Sequence, residues 1–322
     1  MGSIQNILYP TDFSNCRESL LPQALFLSRE CEAKLHILHV ATSSGFLQDV
    51  GDSLFLPLDD PGALSRINED LYNQRPKIIS KDKLYNGVRI SDIEFKSLAV
   101  DEGILEYARL YNIDLIIMAT PIYSGLKRFL WRTTAEKVAR GAECHVLSIP
   151  CSKSRGPIFS NQLRSILVPV DFSDFSQVTL SSAKGLASIY GAQIELFHVI
   201  EKPAFPPFYK TGGYVNNNID IDWEKLVEQW LWSLDILTKG PVKAKRIEIS
   251  RGNVADEIID HSRYYADMVI LASYGQRQGK GFLTRSIWEK ILRRVNCPVL
   301  VLKLQSSMIT HGHNHVTFNL EK

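Results

Sequence analysis

Two tandem α/β domains, each a parallel sheet covered by helices, are what this sequence predicts. Three observations point there. Segments recur: Ile7-Leu-Tyr-Pro-Thr-Asp-Phe-Ser14 returns 159 residues on as Ile166-Leu-Val-Pro-Val-Asp-Phe-Ser173, and Asp114-Leu-Ile-Ile-Met-Ala119 returns 153 residues on as Asp267-Met-Val-Ile-Leu-Ala272. Strand-like and helical stretches alternate through both halves. Runs such as Met268–Leu271 are apolar throughout, as strands buried on both faces are.

In the first copy, strands are expected near 4–10, 34–40, 88–95, 114–119 and 145–149, and helices near 15–31, 63–85, 101–111 and 134–141. In the second, strands are expected near 164–170, 193–199, 243–249, 267–272 and 298–303, and helices near 174–190, 220–238, 254–265 and 286–295. A repeat of this length means two copies of a whole domain and not a solenoid. Residues 1–150 form the first, 163–305 the second, and the polar stretch 151–162 with Gly156-Pro157 reads as the linker. Long loops follow the second strand of each copy, Ala41–Gly62 and Lys202–Asn218; they read as covers for a site or as plain surface excursions. Trp223, Trp230 and Trp232 share one helix and read as core or interdomain packing. The tail 306–322 has no clear period and reads as flexible. It carries His311, His313 and His315, but no acidic or Cys partner completes a metal site.

Composition narrows the function classes. The 322 residues are 45% apolar and 22% charged, with a net charge of +2. That balance gives no global case for nucleic acid or a membrane surface. No apolar run approaches the ~20 residues of a membrane helix. Five cysteines without a C-x-x-C pair fit a reducing cytoplasm better than a disulfide framework. There is no Walker A pattern, H-E-x-x-H or G-x-S-x-G, and no acidic pair is assigned to acid–base work.

In open parallel sheets, ligands sit beyond the carboxyl ends of the strands, where strand order reverses. If the order is 3-2-1-4-5, Pro169 and Asp171 converge there with the loop 272–286, and Pro10 and Asp12 with 119–133. The loop after Met268–Leu271 holds Gly275, Gly279 and Gly281 and opens a helix, which is a phosphate-holding arrangement. Ser286 with Glu289 fits a capping box, as Thr133 with Glu136 does. Both hydroxyls read as N-caps. Ile122 stands where the second copy has Gly275, so the second copy is the better candidate. Asp12 and Asp171 have two open readings: acceptor for a nucleobase or ribose, or cap of the following helix.

These motifs, with the closing Cys144-His-Val-Leu-Ser-Ile and Cys297-Pro-Val-Leu-Val-Leu strands, resemble the universal stress protein family as a tandem two-domain member. The resemblance covers residues 3–150 and 163–304. It implies two doubly wound domains, each a five-stranded parallel sheet of order 3-2-1-4-5 with helices on both faces. It also implies a cytoplasmic location and pairing of domains through their last strands. ATP-binding members carry Gly-x2-Gly-x9-Gly-Ser/Thr after the fourth strand. Here the second copy reads Ala272-x2-Gly275-x9-Arg285-Ser286 and the first Ala119-x2-Ile122-x9-Arg132-Thr133. The family's adenine side falls on Asp171 and Val199, and on Asp12 and Val40. Gly252 matches a position near the ribose, with Leu98 at about its equivalent.

The resemblance implies a cytoplasmic stress-response binding or regulatory protein. The expected ligand is ATP or another adenine nucleotide, held weakly in the second domain by Pro169, Asp171, Val199, Gly252, Gly275, Arg285 and Ser286. Asp12, Val40, Arg132 and Thr133 form a vestigial counterpart. Arg132 and Arg285 displace the family's third glycine and are expected to obstruct a triphosphate. The alternatives are a scaffold acting through an unknown protein partner, as a homodimer or through its paired domains, and a slow ATP hydrolase. Calorimetry separates the first two, and a phosphate-release assay isolates the third.

Overall fold

The computed structural model describes residues 2–11, 20–42, 77–85, 87–121, 133–152, 156–157, 163–171, 173, 175–201, 217–274, 284–304 and 316–317. It divides into two compact units, Ile4–Pro157 and Ile158–Lys322 with Met1–Ser3.

The first unit contains β1 (Asn6–Pro10), α1 (Leu21–Glu30), β2 (Lys34–Thr42), β3 (Lys77–Tyr85), β4 (Val88–Ser97), α2 (Val100–Leu110), β5 (Leu115–Pro121), α3 (Thr134–Gly141) and β6 (His145–Ser152). Strands run side by side in the order β6-β5-β1-β2-β4-β3, all parallel except β3, which pairs antiparallel with β4. Parallel strands with helices on both faces must be apolar along their length. Ile7, Leu8, Ile116, Ile117 and Val146 are accordingly fully buried.

The expected five-stranded parallel order is present, and β3 is an addition. Residues 63–85 were expected to be helical; Lys77–Tyr85 is a strand, and 63–76 lie outside the described residues. The physical cause is the Asn86-Gly87 pair between two strand-like runs, a strong local hairpin signal. Gly87 takes φ +84, which glycine adopts at no steric cost. The linker expectation also meets a difference at its start. Cys151 and Ser152 complete β6, and they pair antiparallel with Pro157 and Gly156.

The second unit contains β7 (Ser165–Pro169), α4 (Phe175–Tyr190), β8 (Gln193–Glu201), α5 (Asn217–Leu237), β9 (Ala244–Gly252), α6 (Val254–Tyr265), β10 (Met268–Tyr274), α7 (Arg285–Arg294) and β11 (Val299–Leu304). Its five strands are parallel in the order β9-β8-β7-β10-β11. The switch point lies between β7 and β10, which pair only at Ile166–Met268 and Leu167–Val269. The repeated Asp before the fourth strand fixes the first strand in each unit. Asp114 accepts from the N–H groups of Gln5 (2.8 Å) and Asn6 (2.9 Å), and Asp267 from those of Arg164 (2.8 Å) and Ser165 (3.1 Å).

Trp230 and Trp232 do not form the buried face of α5, and the Trp223 side chain lies outside the described residues. Val227 and Leu231 fill the buried face. Trp230 is half-buried and Trp232 is 40% exposed, because the helix turns that residue outward with Leu226, Ile236 and Leu237. The tail histidines and the two long loops from residue 43 and residue 202 onward lie outside the described residues. Cys31 and Cys297 are buried free thiols.

Candidate functional site

The carboxyl ends of β7, β8, β9 and β10 share one edge of the second unit, because these strands are parallel neighbours. That edge collects the described candidate residues. Pro169 ends β7 opposite Phe197, Val199 pairs with Ser250, and Glu201 pairs with Gly252. Asp171 follows β7 at once and is 3% exposed.

Asp171 is engaged by its own turn. Its Oδ1 accepts from the Ser173 N–H at 3.0 Å, from the Ser173 hydroxyl, and from the Ser176 hydroxyl at 3.0 Å. The Asp171 N–H in turn donates to Ser176 Oγ at 3.0 Å. This geometry is an Asx-type turn ahead of α4: the carboxylate orders the residues that lead into the helix. A ligand donor that approached Oδ1 would compete with Ser173 and Ser176 for that oxygen.

The residue before it is gripped from β8. The Val170 N–H donates to Phe197 O at 2.9 Å, and His198 Nδ1 lies 2.9 Å from Val170 O, so Nδ1 carries the proton and donates. The first unit repeats the device, with His39 Nδ1 at 3.2 Å from Thr11 O. The sequence shows both histidines in the repeated His-Val pair, but nothing in a sequence names a carbonyl as their partner.

Burial holds the His198 imidazole below its ordinary value of 6.5, opposed by the Val170 carbonyl bond and the Asp171 charge. As pH falls through 6.5, the unfolded chain takes up a proton that the folded chain does not yet bind. Stability from this group is therefore complete above that value and lost below it. Urea unfolding of the second unit is expected to weaken between about pH 7 and about pH 5, with a shallower dependence in His198→Phe.

Gly252 closes β9, and Asn253 caps α6 by accepting from the Asp256 N–H at 3.3 Å. A Cβ on Gly252 would lie 2.2 Å from Glu257 Oε1, so the bare backbone there is covered by that carboxylate. Glu257 Oε2 is fixed by the Ser250 hydroxyl at 2.5 Å. Its Oε1 takes no hydrogen bond among the described residues. The sequence reading missed Glu257; its signal was a Glu one turn into the helix after Gly252. In the first unit Leu98, 51% exposed, stands near the equivalent place.

Ser286 is not the N-cap. Helix α7 begins at Arg285 with Thr284 as N-cap, and Ser286 is exposed at the second helical position. The Thr284 and Ser286 hydroxyls share a hydrogen bond at 3.0 Å, and Thr284 O accepts from the Trp288 N–H at 3.2 Å. The choice between two hydroxyls two residues apart is decided by where the first turn closes, which Glu289 alone does not show. Thr133 is an N-cap as expected, accepting from the Glu136 N–H at 3.2 Å. Val40 is 9% exposed and pairs with Phe95 in β4. Asp12, Arg132, Gly275 and the Arg285 side chain lie outside the described residues.

The other titratable clusters hold structure. Glu195 is buried between His261 Nε2 (2.9 Å) and Arg246 Nε (3.4 Å), at the opposite end of β8. Asp256 joins α6 to α7 through Lys290 (2.9 Å) and Arg294 (2.7 Å), which hold its carboxyl below the ordinary value. Burial pushes the Cys31 and Cys297 thiols up to about 12, so neither supplies a thiolate near neutral pH. Among the described residues, no group of three or more His, Cys, Asp or Glu could hold a metal.

Strand order and shared carboxyl edge together define a tandem α/β chain of the switch-point type. The chain belongs to the universal stress protein family, whose model matches residues 3–150 and again 162–303. Universal stress protein MJ0531 of Methanocaldococcus jannaschii is similar, at 28% identity over 148 residues, covering 45% of this chain and 81% of that protein. The functionally unknown protein PA1789 from Pseudomonas aeruginosa PAO1 shares the fold along 96% of this chain and 95% of its own, with 16% identity and a TM-score of 0.63. A universal stress protein solved in complex with cAMP matches 46% of this chain and 98% of its own, at 16% identity and a TM-score of 0.31. Among the described residues, no helix is long and apolar enough to cross a membrane.

Proposed function

We propose that this chain is a cytoplasmic stress-response binding protein whose second domain takes an adenine nucleotide weakly through its nucleoside part. The supporting observation is Glu257. Its carboxylate lies on the bare backbone of Gly252 at the carboxyl edge, held through Oε2 by Ser250, with no hydrogen bond to Oε1 among the described residues. A carboxylate in that place suits the hydroxyls of a ribose and repels a phosphate. Binding is weak because Asp171 is already engaged by Ser173 and Ser176, so an adenine donor exchanges one set of bonds for another.

Calorimetric titration with adenosine and with 2′,3′-dideoxyadenosine tests this. Hydrogen bonds to a charged acceptor are worth about 1.5–3 kcal/mol, so adenosine is expected to bind about tenfold tighter or more. Glu257→Ala should erase the difference. Equal affinities in the wild type would remove Glu257 from the site.

A second reading, a scaffold for a protein partner, is favoured by the outer face of α5. Leu226, Trp232, Ile236 and Leu237 are there 57%, 40%, 68% and 71% exposed. Absence of any nucleoside binding, with loss of an identified partner on Trp232→Ala and Ile236→Ala, would select it.

A further inference from the structure

We infer that His198 is a positioning residue that couples the Asp171 turn to helix α5, and so ties occupancy of the crevice to the state of that helix. The inference rests on the proposed function only for the claim that a ligand engages Asp171; the coupling itself is a property of the empty protein.

Three contacts in series carry it. Asp171 is bonded to Ser173 and Ser176, so its carboxylate and the entry to α4 move as one turn. Val170, one residue earlier, is held on both backbone groups by β8: its N–H by Phe197 O at 2.9 Å, and its carbonyl by His198 Nδ1 at 2.9 Å. The His198 ring, 5% exposed, meets Trp230 of α5 edge-on, with centroids 6.3 Å apart and planes at 69°. An imidazole fixed by one short bond and packed against an aromatic edge has little freedom to absorb a shift of Val170. A change in the Asp171 turn therefore reaches Trp230 through the ring. The Val170 carbonyl, which can only accept, keeps Nδ1–H as the donor. The bond recurs in the first unit between His39 and Thr11. The coupling is thus built on a feature of the domain and not on an accident of one loop.

Amide hydrogen exchange on the full chain tests the coupling without a ligand. Asp171→Ala releases the turn and is expected to speed exchange in α5 around Trp230 by about fivefold or more, the range of ordinary site-to-site coupling. In a His198→Phe background the same substitution should leave α5 unchanged. If His198→Phe does not fold, His198→Asn and His198→Gln replace it. Asn keeps an N–H donor near Nδ1 and should keep the Val170 carbonyl held, but like Gln it lacks the ring that meets Trp230, so both should abolish the coupling. Unchanged exchange in α5 while the start of α4 loosens would overturn the inference. So would an equal effect of Asp171→Ala with and without the imidazole, since independent sites add. Adenosine is then added as a separate arm. If it fails to bind, the functional reading fails while the coupling stands, and if α5 stays indifferent to Asp171→Ala the coupling fails whatever binds.

Discussion

Lys184→Met is expected to destabilise the second domain by about 3–5 kcal/mol, the cost of stranding one partner of a buried ion pair. Lys184 is fully buried, on α4. Its Nζ lies 2.7 Å from Asp235 Oδ1 and donates to the carbonyls of Asp235 at 2.8 Å and Thr238 at 3.0 Å, so three protons meet three acceptors. Asp235 Oδ1 also accepts from the Ala244 N–H at 3.0 Å, which ties the end of α5 to the start of β9. A Cβ on Gly240 would lie 2.6 Å from the lysine's own Cβ, so the chain passes this stem only as glycine. Urea unfolding followed by tryptophan emission reads the effect, because Trp131 alone of the five tryptophans lies in the first half. Lys184→Met with Asp235→Asn should recover part of the loss. A single-variant loss below about 1 kcal/mol would mean that the pair is dispensable.

Ala272→Gly with Arg285→Gly is expected to strengthen ATP binding about tenfold, or about 1.4 kcal/mol. Both residues stand where the family resemblance of the sequence implies glycine. The structure separates their shares. Ala272 is 1% exposed inside β10, paired with Leu302, so glycine there mainly costs strand stability, about 0.5–1 kcal/mol. Arg285 is the first residue of α7, where the unpaired N–H groups of the helix begin. Most of the gain should therefore appear with Arg285→Gly alone, at equal salt. Weaker binding by the double variant would make the Arg285 guanidinium a phosphate ligand.

The sheet was legible because its signal is redundant. Apolar runs such as Asp267–Ala272 have one solution in a parallel sheet, and each occurs twice, so β1, β2 and β4 to β11 fall near the expected segments. The strand β3 was missed because Lys77–Tyr85 has mixed polarity and the deciding pair, Asn86-Gly87, sits beyond its end. The site was legible as a place, the carboxyl edge, and less so as a set of contacts. Asp171 was named, but its engagement by Ser173 and Ser176 depends on backbone angles that no spacing encodes. Ser286 and Thr284 compete for one cap, and the closing turn chose Thr284. Lys184 gains its meaning from Asp235, a neighbour in space only, and Glu257 from the way the start of α6 lays its carboxylate back over Gly252.

The most direct test of the central claim, one weak nucleoside site in the second domain, is calorimetric titration of adenosine into wild type, Asp171→Ala and Asp12→Ala under one salt condition. The account predicts a single site per chain in the wild type, weakened about tenfold or more by Asp171→Ala and unchanged by Asp12→Ala. A loss with Asp12→Ala and none with Asp171→Ala, or no binding by the wild type at about 1 mM adenosine, would contradict it.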